Sequence, residues 1–295
     1  MTARLLVALA ALLVPAAAAS GGPVNPETTI TSGPGRAVNT SSATFEFTSD
    51  QPLAHFACAL DSDAFFACSS PYTVNAGEGE HHFWVVAIAA SGIADPTPAE
   101  WTWTIDTVAP KPVKRRLTVG YRRLAIRWGN LGTAGADQVV VTRSTDRRKE
   151  PALEVYRGGA SAYVDARFKN AVYHRYRIVA SDRAGNVSPP VDVVVTPSAL
   201  LLAPRDGARL RAPAHLRWRP VPMATFYNVQ LYRGGTKILS TWPRSERLRL
   251  GRSWRYRGHR FRLKPGSYTW YVWPGFGPLA HSRYGQLLGR SGFTV

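Results

Sequence analysis

Residues 56–68 read FACALDSDAFFAC, and this stretch decides the fold of the first part of the chain. Phe56, Cys58 and Leu60 alternate with smaller residues, which is typical of a strand with one buried face. Asp61-Ser62-Asp63 predicts a turn, and Phe65 to Cys68 predicts a second strand. The stretch is therefore a predicted β-hairpin that brings the side chains of Cys58 and Cys68 close together.

The same two-residue period recurs on both sides of this hairpin. It predicts further strands whose inward positions are mostly aromatic, at Ala43, Phe45 and Phe47, at Phe83, Val85 and Ala87, and at Trp101, Trp103 and Ile105. Trp84, Val86 and Ile88 face the other way. These strands predict a meander with an aromatic core.

The residues just named resemble a bacterial immunoglobulin-like repeat of secreted proteins. The matching positions are Phe56, Cys58, Leu60, Asp61, Phe65, Cys68, Ser70, Pro71, His81, Phe83, Val85, Ala87, Asp95, Thr97, Pro98, Ala99 and Thr102-Trp103-Thr104. The resemblance covers residues 27–107 almost completely. It implies a β-sandwich and carries no activity.

Composition extends the β prediction to the whole chain. Of 295 residues, 45% are hydrophobic and 11% aromatic, with 25 Gly and 22 Pro, a mixture that favours strands and turns and excludes a helical bundle. Proline-rich joints at 106–112 and 196–198 mark linkers. We expect three β-sandwich domains at residues 20–107, 108–197 and 198–295.

The second unit has alternating strands around Trp128, Val139 and Ile178. Its segment 181–189, SDRAGNVSP, resembles the F to G turn of bacterial fibronectin type III modules. Ala180 to Pro189 aligns with Ala87 to Pro96 at a constant offset of 93, and Gly185 and Gly92 coincide where a turn needs positive φ. His174 stands where such modules carry a corner tyrosine, so Tyr173 or Tyr176 is expected to take that role.

The third unit resembles a divergent fibronectin type III module. Its predicted B, C and F strands contain Leu216 and Trp218, then Tyr227, Val229 and Leu231, then Tyr268, Trp270 and Val272 after the Pro265-Gly266 turn.

The first 19 residues are typical of a signal peptide. Arg4 supplies the positive start, Leu5 to Val14 the apolar stretch, and Ala17-Ala18-Ala19 the cleavage site. No later stretch is apolar for long enough to predict a membrane span. We expect a secreted protein, in whose oxidising compartment Cys58 and Cys68, its two cysteines, form a disulfide.

Charge is distributed unevenly along the chain. The formal net charge is +18, which divides into −9 for residues 20–106, +10 for 107–197 and +16 for 198–295. A coding bias towards arginine accounts for basic residues in general, but not for an acidic first domain beside a basic third. The pattern predicts association of the third domain with anions.

Eight arginines lie between Arg244 and Arg262. Arg247 and Arg249 form one same-face pair and Arg260 and Arg262 another, and we predict that the four bind a polyanion. Arg255 and Arg257 need a turn or bulge at Gly258 to reach the face of Arg260. The alternative to polyanion binding is that these arginines form an ordinary solvent-exposed face without a ligand.

A second surface is predicted from the segment 270–277. Trp273 and Phe276 come after the predicted core positions of this segment. We expect them either to form a platform for sugar rings or to be core residues.

Catalytic motifs are missing from the sequence. It has no G-x-S-x-G elbow and no glycine-rich phosphate loop, and His81 and His82 are strand neighbours that face opposite ways. The third unit offers only Asp206 and Glu246 as carboxylates. We therefore expect no enzyme, no cofactor, no metal site and no specific nucleic-acid partner.

The sequence thus predicts a secreted, non-enzymatic modular protein. Its expected partner is an anionic cell-wall polymer, a polysaccharide or another carbohydrate of the envelope. A structural stalk without a ligand and an accessory glycan-binding protein of an extracellular enzyme system are the alternatives.

Overall fold

The computed structural model describes residues 25–145, 152–211, 213–281 and 283–295. The predicted signal peptide, residues 1–19, lies outside the described residues. Within them, the regular structure other than strands consists of two short 3-10 turns, Gly132–Ala134 and Leu279–His281. The predicted all-β class is therefore confirmed. Contacts between Cα atoms divide the chain into two compact units, one ending at Ile105 and the other running from Asp106 to Val295.

The first unit is a β-sandwich of two sheets. Its strands are β1 Thr28–Ser32, β2 Ala37–Val38, β3 Ser42–Ser49, β4 His55–Leu60, β5 Phe66–Cys68, β6 Tyr72–Asn75, β7 Gly79–Ile88 and β8 Ala99–Ile105. One sheet has the order β1-β3-β6 and the other β2-β8-β7-β4-β5. The inward residues of the alternating pattern meet between the sheets, where the ring of Phe45 stacks on that of Phe83 at 4.0 Å and Trp103 is 1% exposed.

The predicted disulfide joins the two strands of the hairpin. Antiparallel β4 and β5 place Cys58 opposite Phe66 and Cys68 opposite Phe56, and the two sulfur atoms are bonded. The second strand begins at Phe66, one residue later than predicted, because Ala64 and Phe65, which follow the bend at residues 61–63, lie outside the strand. The disulfide itself is confirmed.

A second sandwich opens the other unit. Its strands are β9 Arg115–Gly120, β10 Arg123–Trp128, β11 Gln138–Ser144, β12 Leu153–Gly158, β13 Ala162–Asp165, β14 His174–Ser181 and β15 Val191–Val195. The sheets have the orders β13-β10-β9 and β12-β11-β14-β15. Gly185 has φ 94° and its counterpart in the first sandwich, Gly92, has φ 87°, so the predicted positive φ at both turns is confirmed.

The third sandwich has the same plan with an added hairpin. Its strands are β16 Leu201–Ala203, β17 Ala208–Arg209, β18 His215–Trp218, β19 Phe226–Arg233, β20 Thr236–Thr241, β21 Arg247–Arg249, β22 Ser253–Tyr256, β23 His259–Arg262, β24 Ser267–Phe276, β25 Arg283–Tyr284 and β26 Gly289–Thr294. The sheets are β16-β18-β21 and β17-β26-β24-β19-β20, with β25 beside β24. The strands β22 and β23 form a separate two-stranded hairpin. Trp218 and Trp270 lie in the core, at 1% and 0% exposure.

The second and third sandwiches contact each other within their unit. The backbone N–H of Gln286 donates to the Tyr121 hydroxyl at 2.7 Å, and Val119 packs against the cores of both sandwiches. Gly285 permits this approach, because a Cβ atom there would lie 2.4 Å from the Tyr121 hydroxyl oxygen. The contact therefore depends on the Tyr121 side chain and on the absence of a side chain at position 285.

Each sandwich closes the corner before its central strand with one side-chain hydrogen bond to the backbone. His81 on β7 bonds the carbonyl of Gly77, His174 on β14 that of Lys169, and Tyr268 on β24 that of Lys264, at 2.9, 2.9 and 2.8 Å. We call these three the corner residues. His174 itself makes this bond, since an imidazole N–H reaches the carbonyl as a phenol does, so the expectation that Tyr176 replaces it was wrong, while the one for Tyr173 stays a prediction. The Tyr176 hydroxyl instead donates to Asp165 at 2.7 Å.

The two corner histidines have opposite protonation preferences. Both ring nitrogens of His81 face acceptors, the Asp61 carboxylate at 2.7 Å and the Gly77 carbonyl, so each nitrogen donates. Burial opposes the charge of His81, but these hydrogen bonds and the charge of Asp61 outweigh it and raise its pKa. At His174, Nε2 donates to Lys169 while the buried Nδ1 has no partner among the described residues.

The pKa of His174 is lowered, chiefly by burial. The hydrogen bond to Lys169 and the charge of Asp165 raise the pKa, whereas the charges of Arg143 and Lys169 lower it further. The neutral imidazole is thus the form that the second sandwich accommodates.

We predict that removing the disulfide destabilises the first sandwich by roughly 2 to 3 kcal/mol, because the bond closes a short loop in the unfolded chain. Hydrogen exchange of the buried amides of Phe45 and Phe83 in the full chain would measure the loss in a C58S/C68S variant. The variant A67S, on the same hairpin, is the control. Equal protection in the cysteine variant and the wild type would contradict the prediction.

We predict that H174Y, which installs the corner residue of the third sandwich, reduces the loss of stability at acid pH. Because the pKa of His174 is lowered in the folded state, the unfolded chain binds more protons below about pH 6.5, and the free energy of unfolding falls with falling pH. Calorimetric melting at about pH 5 and about pH 8 should differ less for H174Y than for the wild type.

The variant H81Y is the matched control, with the opposite sign. The raised pKa of His81 stabilises the folded state below about pH 6.5, and this contribution is lost as the pH rises through the raised value. H81Y should therefore cost more stability at about pH 5 than at about pH 8. The same pH dependence in both variants would contradict the assigned protonation states.

Candidate functional site

The predicted arginine pairs lie on two different sheets of the third sandwich. β21 pairs with β18, so Arg247 lies opposite Arg217 and Arg249 opposite His215. Arg260 and Arg262 lie on β23, in the separate hairpin. All four side chains are exposed. The predicted same-face spacing holds within each pair, and the pairs form two cationic surfaces rather than one row.

A two-residue turn at the tip of the hairpin settles the position of the third pair. Arg257 has φ 50° and Gly258 φ 81°, which reverses the chain and places Arg255 directly opposite Arg260. The predicted turn at Gly258 is confirmed. Arg255 joins the face of Arg260, whereas Arg257 lies in the turn, where its guanidinium carbon is 5.6 Å from the centroid of the Tyr256 ring.

The opposite face of the hairpin fastens it to the sandwich. The indole N–H of Trp254 donates to the Ile238 carbonyl on β20 at 2.7 Å, and the ring of Trp254 stacks with that of Phe261. Both rings pack against the third core. The sequence therefore alternates anchoring aromatic residues with outward arginines, and the hairpin holds those arginines at a fixed place.

A cavity of about 940 Å³ lies between this hairpin and the strands β19 and β20. The residues that line it include five cationic side chains, Arg233, Arg252, Arg260, Arg262 and Lys264. Thr236, Ile238, Ser253 and Phe261 complete the described lining, which includes no carboxylate. We call this space the cationic cavity.

Two of its arginines are held by neighbouring groups. Arg233 donates to the Pro265 carbonyl at 2.8 Å, and its guanidinium lies 5.8 Å from the Tyr268 ring centroid. Arg260 donates to the Ser253 hydroxyl at 3.2 Å. Gly266 has φ 140°, and a Cβ there would lie 3.4 Å from the Arg233 Nη2, so a larger residue would strain this turn. The remaining N–H donors of both guanidinium groups make no further hydrogen bond to the described residues and are available to a ligand.

Ion pairing distinguishes the third sandwich from the second. In the second, Asp165 binds Arg143 at 2.7 Å, and Asp192 binds Arg175 at 2.6 Å and Arg177 at 3.2 Å. Burial raises the pKa of Asp165, but its hydrogen bonds from Tyr176 and Arg143 outweigh burial and lower it.

The described residues of the third sandwich contain no ion pair within 4.0 Å, although the sequence 198–295 carries 18 bases and two acids. Glu246, one of those acids, accepts a hydrogen bond from Tyr227 at 3.2 Å. Within the described part of the chain, therefore, no carboxylate is paired with the arginines of the cationic cavity.

The structure separates the two residues of the predicted sugar platform. Inward residues of β24 are even-numbered, so Phe276 lies on the core side and packs against the third core. Trp273 lies on the outward side and stacks with Tyr271 at 5.9 Å. The expectation of one shared platform was wrong, because the strand alternation continues through Pro274 and Gly275.

Sequence reasoning missed Arg233, Arg252 and Lys264 as partners of Arg260 and Arg262. Arg252 belongs to the arginine-rich segment, but the other two flank turns at Gly234-Gly235 and Pro265-Gly266, and only the packing of the hairpin brings them together.

His81 and His82 lie on opposite faces of β7, as predicted for neighbouring strand residues. His81 is buried, whereas His82 is half-buried and its ring stacks with that of Trp84.

The described residues also bear on membrane spans and metal sites. No helix in this part of the chain is long and apolar enough to cross a membrane. No group of three or more His, Cys, Asp or Glu side chains in the same residues is placed to hold a metal ion.

Comparison with solved structures finds modular β proteins. Fibronectin(III)-like modules of Clostridium thermocellum CbhA are 16% identical, with a TM-score of 0.41 over 58% of this chain and 93% of that one. A two-domain fibronectin type III segment of chicken tenascin is 11% identical, with a TM-score of 0.27 over 59% of this chain and 99% of that one. Domains from titin are 14% identical, with a TM-score of 0.40 over 59% of this chain and 67% of theirs.

No protein-family model matches the chain. No curated protein matches it either.

Proposed function

We propose that this chain is a secreted, non-enzymatic modular protein of the bacterial cell envelope, and that its third sandwich binds an anionic wall polymer or polysaccharide. In this proposal residues 27–107 are a bacterial immunoglobulin-like repeat, and the first two sandwiches serve as spacers. The observation that carries it is the cationic cavity, where five bases converge and no described carboxylate lines the space.

Convergent, unpaired arginines are costly without a ligand. Like charges that face each other across a strand pair, as Arg255 and Arg260 do, repel and destabilise the hairpin. A bound anion removes that repulsion, and guanidinium groups bind phosphate and carboxylate groups through two parallel N–H donors. The arrangement is therefore better explained by an anionic ligand than by charge for solubility alone.

A polymer suits the cavity better than a single small anion. Arg255 extends the cationic surface beyond the cavity along the outer face of the hairpin, opposite Arg260. Successive anionic groups of a chain could be bound there, and each contact would release a counterion from the polymer. The acidic first domain, at −9 for residues 20–106, would repel the same ligand.

We predict that R260S/R262S binds an anionic polymer more weakly than the wild type. Because two phosphate contacts are lost, the slope of log K against log salt should become shallower by about two. Fluorescence titration of the full chain with polyphosphate and with dextran sulfate, at several salt concentrations, would measure both quantities.

The matched control is R247S/R249S, which removes the same charge from the other cationic surface. A small effect there and a large one for R260S/R262S would support the cavity as the site. Equal losses in both variants would assign binding to net charge, and undiminished binding in both would show that neither surface is the site. If the wild type binds neither polymer, the stalk without a ligand is the better interpretation.

A further inference from the structure

We infer that the outward face of the larger sheet of the third sandwich is a second binding site, for a neutral oligosaccharide. A cleft of about 380 Å³ lies on this face, within the size range of small-ligand sites. Its described lining consists of Asn228 and Gln230 on β19, Ser240 and Trp242 at the end of β20, Trp273 on β24 and Tyr284 on β25. We call it the aromatic cleft.

Two exposed aromatic side chains form one wall of the cleft. Trp242 is 44% exposed and Tyr284 49% exposed, and the Trp242 indole N–H donates to the Tyr284 hydroxyl at 2.7 Å. The Tyr284 ring meets the buried Phe226 edge to face at 5.8 Å. Gly275 makes room for Phe226, because a Cβ at that position would overlap its ring. The wall is therefore held in place without a ligand, which lowers the entropy lost on binding.

The floor of the cleft is a chain of hydrogen bonds. The Tyr232 hydroxyl donates to Gln230 Oε1 at 2.9 Å, Gln230 Nε2 donates to Asn228 Oδ1 at 2.7 Å, and Asn228 Nδ2 donates to the Ser240 hydroxyl at 3.2 Å. An amide nitrogen has two N–H groups, and among the described residues each amide here uses one of them. One N–H per amide and the Ser240 hydroxyl remain for a ligand.

Trp273 stands beside this floor. It lies directly opposite Asn228 in the antiparallel register, and Tyr271, on which it stacks, lies opposite Gln230. Side chains opposite each other on one face of a sheet are within contact distance. An apolar ring surface and free amide donors thus flank the same space.

These features together match a sugar ring. A pyranose with equatorial hydroxyl groups has two apolar C–H faces and a rim of hydroxyl groups that both donate and accept. Aromatic rings cover such faces, and amide groups bond the rim. The described lining includes no ionic side chain, in contrast to the cationic cavity, so the ligand is neutral. A β-linked chain of glucose or N-acetylglucosamine has this chemistry.

A proline-rich peptide also binds between aromatic side chains, but it fits this floor less well. The carbonyl oxygens of such a peptide can accept from the free amide N–H groups, but proline has no N–H or O–H to donate to the second lone pair of Asn228 Oδ1 or of the Ser240 hydroxyl, whereas a sugar hydroxyl both donates and accepts. The oligosaccharide is therefore the ligand that the lining favours.

Calorimetric titration of the full chain with cellohexaose, with chitohexaose and with decaproline tests the inference. We expect binding of one of the two sugars, and an affinity roughly tenfold lower for W273A, because a stacked ring is lost. W84A removes a half-buried outward tryptophan of the first sandwich and should bind as the wild type does. W242A, which changes an exposed ring, should also weaken binding, so the test does not depend on how W273A folds.

The salt dependence of binding distinguishes this site from the proposed anion site. Sugar binding should not change between about 0.05 and 0.3 M salt and should be unchanged in R260S/R262S, because the ligand is uncharged. No binding of either sugar, or equal binding by the wild type, W273A and W242A, would overturn the inference. Binding of decaproline alone would assign the cleft to a peptide and overturn it as well.

Discussion

The hydrogen bond of the corner residue is the constraint on which each sandwich depends. It ties the preceding loop to the start of β7, β14 or β24. Each of these strands is paired with a neighbouring strand on both sides within its sheet. These strands also carry large buried side chains, such as Phe83, Tyr176 and Trp270. A shift of one residue at the corner would turn those side chains towards solvent, so the corner bond and the buried side chains select the same register.

The fold was predictable to the extent that its strands have one buried face. Alternation at Phe45, Trp128 and Trp270 placed core residues correctly, because burial imposes a period of two on the sequence. The role of His174 at the corner of the second sandwich was not predicted, because a tyrosine was expected to make that hydrogen bond. The offset of 93 between the first two domains also relates His81 to His174 and contained the missing signal.

The candidate site was less predictable, because it is formed by tertiary packing. Spacing along β23 relates Arg260 to Arg262, but nothing local relates either to Arg233, which comes from the end of β19. Phe276 was misplaced for a different reason. Pro274-Gly275 is typical of a strand end, yet β24 continues through both residues by pairing with β19 and β25. Backbone pairing there outweighs the local preference for a turn.

The bond from Trp254 to Ile238 also bears on how the protein behaves when many copies are present. β20 is the last strand of its sheet, and such an edge exposes unpaired backbone groups that can recruit a strand from another molecule. The indole N–H of Trp254 donates a hydrogen bond to one of these carbonyl oxygens, that of Ile238. The hairpin that carries Trp254 also carries the like charges of Arg255, Arg260 and Arg262. A second copy would meet a partly covered edge and electrostatic repulsion, so this edge is less available for pairing than a bare edge strand would be.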